Sequence, residues 1–222
     1  MASELIRLSD YSLKALGIGN GLQDFNLVLP KGAAFSIRTD SSDDAHLLIR
    51  GIATLEPPKK GRFFYREQAL DFSDYRNLLS YKRKVGYIGS DATVIVNRSL
   101  RDNLMLMRYY FEDLTSVEMS EDVIRLCRAF NLEDKLHLKP PQLNPEENRL
   151  CVIVRELSKN PEILLIERLR DFLRTERFEA FKSVLRNLIG KDLALVFFST
   201  DPAFTKEFSR KEIVIEKGRL TT

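Results

Sequence analysis

Arg38-Thr-Asp-Ser-Ser-Asp-Asp-Ala-His46 is the stretch on which the interpretation of this chain depends. It joins an apolar segment at residues 33–37, predicted to be a strand, to an amphipathic segment at residues 47–55, predicted to be a helix. In strand–loop–helix units that hold phosphate, the loop is rich in glycine and ends in Lys-Ser or Lys-Thr, because backbone N–H groups and an ammonium bind the anion. This loop has no glycine and no lysine but three aspartates. The stretch therefore predicts the strand–loop–helix framework of a phosphate-binding unit without the glycine and lysine residues that bind the phosphate.

Composition limits the classes of protein to which the chain can belong. Its 222 residues are 44% hydrophobic, enough for one buried α/β core with a small inserted subdomain. The 35 basic and 32 acidic residues give a net charge of only +3, which argues against a nucleic-acid partner. The longest apolar run, at 193–198, is too short to cross a bilayer, and the N-terminus has no signal-peptide pattern. Cys127 and Cys151 are expected to be ordinary buried thiols.

The order of the predicted elements is typical of a mainly parallel sheet that carries a helical insertion. Short strands and one helix precede residue 98, three helical patterns fill residues 99–159, and strands alternate with helices after residue 160. The sequence therefore predicts a single domain over residues 1–222, with an α/β core at 1–98 and 160–222 and a helical subdomain at 99–159.

Five segments, in matching order and spacing, resemble the ATPase domain of ABC transporters over nearly the whole chain. For example, Leu-Asn-Pro-Glu-Glu at 143–147 lies where the family has its signature Leu-Ser-Gly-Gly-Gln. The resemblance implies an ABC-type P-loop NTPase-like fold, with a mainly parallel sheet, an N-terminal antiparallel β segment and an inserted helical subdomain. The five segments are residues 47–62, 85–104, 143–157, 160–169 and 197–201.

The residues that would bind nucleotide in that family are almost all replaced. The phosphate-loop lysine falls on Ala45 and the magnesium-binding Ser or Thr on His46, while the loop's glycines fall on Thr39, Ser42 and Asp44. Like charges about 4 Å apart repel by ~4 kcal/mol at an effective dielectric constant near 20, so the aspartates should repel a triphosphate. The degenerate loop consists of Thr39, Asp40, Ser41, Ser42, Asp43, Asp44, Ala45 and His46.

The other motifs of the family are replaced as well. Ser90 stands for the Q-loop glutamine, Thr200 for the switch histidine and Glu167 for the metal-orienting aspartate. Arg168 stands for the catalytic glutamate, and a guanidinium stays protonated and cannot act as a general base. The family's adenine-stacking aromatic is replaced at residues 14–16. The signature loop becomes Asn144, Pro145, Glu146 and Glu147, which has no glycine and two carboxylates.

Several of these residues allow two interpretations. His46 is either a metal ligand with Asp43 and Asp44 or, as the more common case, a solvated or capping residue at the helix start. Asp43 and Asp44 either satisfy the free N–H groups of that helix, where phosphate would otherwise lie, or form an exposed acidic loop. The apolar cluster at residues 105–111 either packs into the core or contacts a membrane subunit.

The resemblance and the losses together predict a catalytically inactive ABC ATPase-like subunit, a scaffold or regulator of a membrane transport complex for which lipid is one candidate cargo. Its expected partners are an ABC permease, a second ATPase subunit or both, and a dimer is possible. It would be cytoplasmic and peripheral, without membrane insertion, metal or cofactor. The alternatives are a divergent active ATPase that uses ATP and Mg²⁺ at Glu167 and the aspartates, and a stand-alone soluble regulator.

Overall fold

The computed structural model describes residues 3–112 and 118–222, and it contains two β-sheets and two hydrophobic cores. These described ranges contain ten strands: β1 (Glu4–Leu13), β2 (Leu22–Pro30), β3 (Ala34–Thr39), β4 (Lys60–Tyr65), β5 (Gln68–Ala69), β6 (Val85–Ile88), β7 (Ile163–Glu167), β8 (Ala194–Phe198), β9 (Lys211–Glu216) and β10 (Arg219–Thr221). Within the described ranges the α-helices are α1 (Ser42–Ile52), α2 (Leu79–Lys82), α3 (Leu100–Glu112), α4 (Glu121–Ala129), α5 (Pro145–Leu157), α6 (Thr175–Ile189) and α7 (Pro202–Phe208).

The first sheet is antiparallel, in the order β2-β1-β4-β5. Phe25, Leu27 and Leu29 of β2 are buried while the residues between them are exposed, which is the alternation of a strand with one face on the core. The predicted N-terminal antiparallel segment is therefore confirmed.

The second sheet has the order β10-β9-β3-β8-β7-β6, in which β9, β3, β8, β7 and β6 run parallel. All five residues of β7 are buried, because helices or the first sheet cover both faces of this central strand. Only β10 pairs antiparallel, as a hairpin with β9. The mainly parallel sheet is confirmed.

Helix α1 packs in the core between the two sheets, whereas helices α3 to α7 form the second core with the opposite face of the parallel sheet. The placement of helices between residues 100 and 157 agrees with the predicted helical block, although the exact bounds of a subdomain at 99–159 stay a prediction. None of the described helices is long and apolar enough to cross a bilayer.

Two helix starts differ from the prediction. Helix α1 begins at Ser42, five residues before the predicted start, so only residues 40 and 41 remain between β3 and α1. The helical pattern in the sequence predicts a helix that begins at residue 148. Helix α5 begins earlier, at Pro145, because Asn144 and Glu147 form a capping box that extends it toward the N-terminus. Both shifts place polar residues predicted to lie in loops inside a first helical turn.

Candidate functional site

The predicted site residues lie where the carboxyl ends of the parallel strands meet the N-terminal turn of α1. Strands β6 and β7 are neighbours, with Ile88 opposite Ile166, so the residues that follow them come out at the same edge of the sheet. This geometry brings His46, Ser90 and Glu167 together, although they are far apart in the sequence.

Glu167 is the centre of a closed hydrogen-bond network. Its side chain is 3% exposed and accepts hydrogen bonds from the Ser90 N–H at 2.9 Å and the Ser90 hydroxyl at 3.0 Å. His46 Nδ1 lies 2.7 Å from Oε1 and 2.9 Å from Oε2 of the same carboxylate, and it is the donor because an ionised carboxylate only accepts. The His46 ring therefore binds Glu167 instead of capping α1, and the described residues contain no group of three His, Cys, Asp or Glu side chains that could hold a metal ion.

The two aspartates face a glycine-rich loop at residues 17–21 instead of the start of their own helix. Asp44 is fully buried and accepts hydrogen bonds from the Asn20 N–H at 2.9 Å, the Gly21 N–H at 3.2 Å and the Asn20 side-chain amide at 3.1 Å. Asp43 accepts one from the Ile18 N–H at 3.1 Å. The Asp44 carboxylate therefore takes the backbone N–H groups of a glycine loop, which is a role that phosphate plays in other proteins.

Loop 17–21 is the functional element that the sequence interpretation missed. A Cβ atom on Gly19 would lie 2.7 Å from Asp44 Oδ1, and one on Gly17 would lie 2.8 Å from Asp43 Oδ2. Gly17 and Gly21 also have positive φ values of +55° and +74°, which favour glycine. The Gly-x-Gly-x-Gly spacing at residues 17–21 is the signal in the sequence that points to such a loop.

Of the two interpretations of Asp43 and Asp44, the one in which they satisfy the free N–H groups of α1 is not what this structure shows. Ser41 occupies the N-cap position and its side chain makes no capping hydrogen bond. The N–H groups of Asp44 and Ala45 both point to the Ser41 carbonyl, at 3.2 and 3.3 Å, within an already helical turn. None of residues 39–46 has a positive φ, so the glycine positions of a phosphate loop are not left-handed here.

The signature-loop residues are satisfied internally. Asn144 Oδ1 accepts from the Glu147 N–H at 2.9 Å, and Glu147 Oε2 accepts from the Asn144 N–H at 3.0 Å. Burial opposes ionisation of Glu147, but the Lys135 ammonium and the Asn144 N–H outweigh it and hold the pKa of this carboxyl below its usual value. Glu146 accepts a hydrogen bond from the Arg174 N–H at 2.6 Å, while Pro145 is the exposed first residue of α5.

Arg168 and Thr200 lie apart from the network around Glu167. Arg168 has a left-handed backbone with φ +47°, and its Nε donates to Asp171 at 2.7 Å. The Thr200 hydroxyl approaches the same carboxylate at 3.4 Å. Glu167 is buried and Arg168 is exposed, as expected for neighbouring residues at a strand end.

Other singled-out residues take structural positions. Burial raises the pKa of Cys127 to about 11 and that of Cys151 to about 12, as expected for inert thiols. In the 105–111 cluster, Met105 is fully buried whereas Tyr110 is 59% exposed. The cluster therefore packs into the core at residue 105 and is open to solvent at residue 110. The side chain of Phe111 lies outside the described residues.

The residues present do not fit a magnesium–triphosphate. The lysine position is a fully buried alanine, Ala45, and the nearest helix start carries the acidic Asp43 and Asp44. At the metal position, His46 Nδ1 points at Glu167. An anion here would meet two carboxylates and no ammonium from the loop.

Comparisons with known proteins show which proteins this chain resembles. No family model matches the chain. It is 24% identical over 208 residues to the L-cystine import ATP-binding protein TcyC of Bacillus subtilis, an alignment that covers 92% of this chain and 84% of TcyC. It is also 24% identical to the methionine import ATP-binding protein MetN of Desulfitobacterium hafniense, across 90% of this chain but only 58% of MetN. Over nearly its whole length the chain is similar to ABC transporter ATP-binding proteins.

Solved structures agree with the fold of that family. The dimeric bacterial ABC transporter cassette MJ0796 superimposes with a TM-score of 0.83 at 20% identity, across 98% of this chain and 97% of the cassette. A post-hydrolysis state of MJ0796 bound to ADP and Pi gives a TM-score of 0.82. The expected ABC-type fold is confirmed, and the unusual features of this member lie in its side chains.

Proposed function

We propose that this ABC cassette protein is a catalytically silent subunit of an import system, where it acts as a scaffold or regulator. The observation that carries the proposal is the contact between His46 and Glu167, at 2.7 Å. It occupies the metal-binding region with the protein's own side chains. Asp44, held by loop 17–21, gives further support, because its burial and three hydrogen bonds need no nucleotide.

The proposed partners are a membrane permease and a second cassette subunit, with the protein on the cytoplasmic face of the membrane. The names of TcyC and MetN refer to import of cystine and methionine, and the MJ0796 cassette is dimeric. These names favour an importer. They give no support to a lipid cargo, which stays a prediction.

A divergent but active ATPase is the second candidate. It is favoured by the names of the relatives, which are ATP-binding proteins, and by the carboxylate of Glu167 at the end of β7. In that case a magnesium ion would have to displace His46 from Glu167.

Calorimetric titration with ATP and Mg²⁺ separates the two candidates, with the TcyC protein of B. subtilis as a positive control. We expect no binding in the micromolar range, because an anion would approach Asp43 and Asp44 without a phosphate-loop lysine. Micromolar binding would refute the silent-subunit proposal. Turnover in the reconstituted complex that disappears in Glu167→Ala would then establish the active ATPase.

A further inference from the structure

A pocket of about 430 Å³ opens beside the degenerate site, between the loop that follows β6, the start of α5 and the turn after β7. Its walls are mainly apolar and include Ala92, Pro140, Asn148, Arg149 and Phe172. A volume of this size holds a few side chains of a ligand. No part of the proposed function uses this pocket.

Arg149 is a buried cation without a counter-ion in the described part of the chain. The residue is 6% exposed, and its Nε and Nη2 atoms have no hydrogen-bond partner among the described residues. Nη1 donates only a long hydrogen bond, 3.4 Å, to the Ala92 carbonyl. Burial lowers the pKa of Arg149, while electrostatic interactions with Glu167, Tyr87 and Asp91 act in the opposite direction without an ion pair among the described residues. A buried guanidinium in this condition calls for an anionic partner.

The aromatic ring of Phe172 covers the guanidinium, with Cζ of Arg149 4.4 Å from the ring centroid. Phe172 is itself 40% exposed, so its ring can move aside without disturbing a buried core. A carboxylate that enters the pocket would then meet the two free N–H groups as a pair.

Asn148 supplies a second unsatisfied group on the same helix. Its Nδ2 donates to the Pro140 carbonyl at 3.1 Å, which fixes the orientation of the amide. Its Oδ1 is buried and has no partner among the described residues. The pocket therefore presents donors that suit a carboxylate and an acceptor that suits an N–H group.

Exposed apolar side chains flank the opening. Val96, which lines the pocket, is 63% exposed, and its neighbour Ile95 is 43% exposed. Together with Phe172 they form an apolar rim around a buried polar pair. Such a rim suits a protein segment better than a small hydrated anion.

We propose that this pocket binds an acidic side chain, Asp or Glu, of a partner protein in which apolar residues flank the acidic one. The carboxylate pairs with Nε and Nη2 of Arg149. A backbone N–H of the same segment donates to Oδ1 of Asn148, and the flanking apolar side chains cover Val96 and Phe172.

NMR titration of the full-length protein tests this with two blocked peptides, acetyl-Leu-Leu-Glu-Leu-amide and the same peptide with Gln in place of Glu. We expect the Glu peptide to shift the Arg149 Nε–Hε signal and to bind at least tenfold more tightly than the Gln peptide. Arg149→Gln should reduce binding of the Glu peptide tenfold or more. Arg149→Lys keeps the charge but lacks the two parallel donors, and should bind less tightly than wild type.

Arg155→Gln is the matched control. Arg155 lies on the same helix and donates to a carbonyl of the same loop, Thr93, at 3.1 Å, but it already pairs with Glu156 at 3.2 Å. Its loss should leave peptide binding unchanged. Thermal unfolding of each variant verifies that the fold is kept.

Hexanoate serves as a probe for a free carboxylate, and Asn148→Ala as a probe for the N–H contact. We expect Asn148→Ala to weaken the peptide but not hexanoate. Equal binding of the Glu and Gln peptides, or unchanged binding in Arg149→Gln, would overturn the proposal. Hexanoate that binds as tightly as the Glu peptide would also overturn it, because the site would then serve a free small carboxylate.

Discussion

The N-terminal end of α1 and the pocket beside α5 differ in whether their buried charged groups have hydrogen-bond partners. Asp44 and Glu167 each accept at least three hydrogen bonds from groups within the chain. Arg149, equally buried, leaves two of its nitrogen atoms without a partner in the described ranges. An external ligand would therefore gain little binding free energy from the carboxylates at the end of α1, which already have donors, and more from Arg149 in the pocket.

Removing Asp44 should have the largest effect on stability. Asp44→Ala leaves the buried Gly21 N–H and the Asn20 N–H without their acceptor, so we expect a loss of about 3 kcal/mol in the free energy of unfolding, measured with urea. Asp43→Ala is the control, because its single hydrogen bond to Ile18 is exposed and its loss should cost less than about 1 kcal/mol. Equal losses in the two variants would show that Asp44 does not hold loop 17–21.

The contact between His46 and Glu167 should give the next largest effect. A double-mutant cycle with His46→Ala and Glu167→Gln measures their coupling at neutral pH, for which we expect about 1.5 kcal/mol because the carboxylate is buried. Replacing Ser90 by Ala in the same cycle checks whether the third partner contributes independently. Additive effects of His46→Ala and Glu167→Gln would contradict the closed network.

Glu147 should contribute about 1 kcal/mol to the free energy of unfolding through its capping box, and this contribution should depend on pH. Because the pKa of its carboxyl is lower in the folded protein than the ordinary value of 4.5, the stabilisation is present above that pH and is lost as the pH falls through the folded pKa. The stability difference between wild type and Glu147→Gln should therefore shrink when urea unfolding is repeated at falling pH. A difference that stays constant from pH 7 to pH 3 would mean that ionisation of Glu147 is irrelevant.

Arg149→Met should have the smallest effect on the free energy of unfolding. Methionine retains most of the apolar volume and removes an unpaired buried charge, so the free energy of unfolding should stay within about 1 kcal/mol of wild type. The direct contacts given up are the long hydrogen bond to the Ala92 carbonyl and the contact with the Phe172 ring, together with the electrostatic attraction to Glu167 and Asp91. A loss near that of Asp44→Ala, in the same urea experiment, would indicate that Arg149 serves the fold and not a ligand.

Much of the fold could be predicted from local patterns. The alternating apolar residues at 25–29, the apolar run at 163–166 and the periodic apolar residues at 175–189 each predict an element from neighbours within a few positions, and the structure has β2, β7 and α6 there. The start of α1 could not be predicted in the same way. Residues 42–46 are polar and typical of a loop, and they become helical because Asp43 and Asp44 find donors in loop 17–21, more than 20 residues away in sequence.

The sequence by itself determined the resemblance to ABC ATPase domains, the order of helices and strands along the chain and the absence of glycine and lysine from the loop at 38–46, because these are properties of residue type and spacing. Only the tertiary structure decided what replaced them. It brought His46 to Glu167 across 121 positions and Asp44 to Asn20 across 24, and it left Arg149 unpaired beside a pocket. The physical reason is that a buried polar group needs a partner, and which partner it finds depends on the packing of distant segments and not on neighbours in the chain.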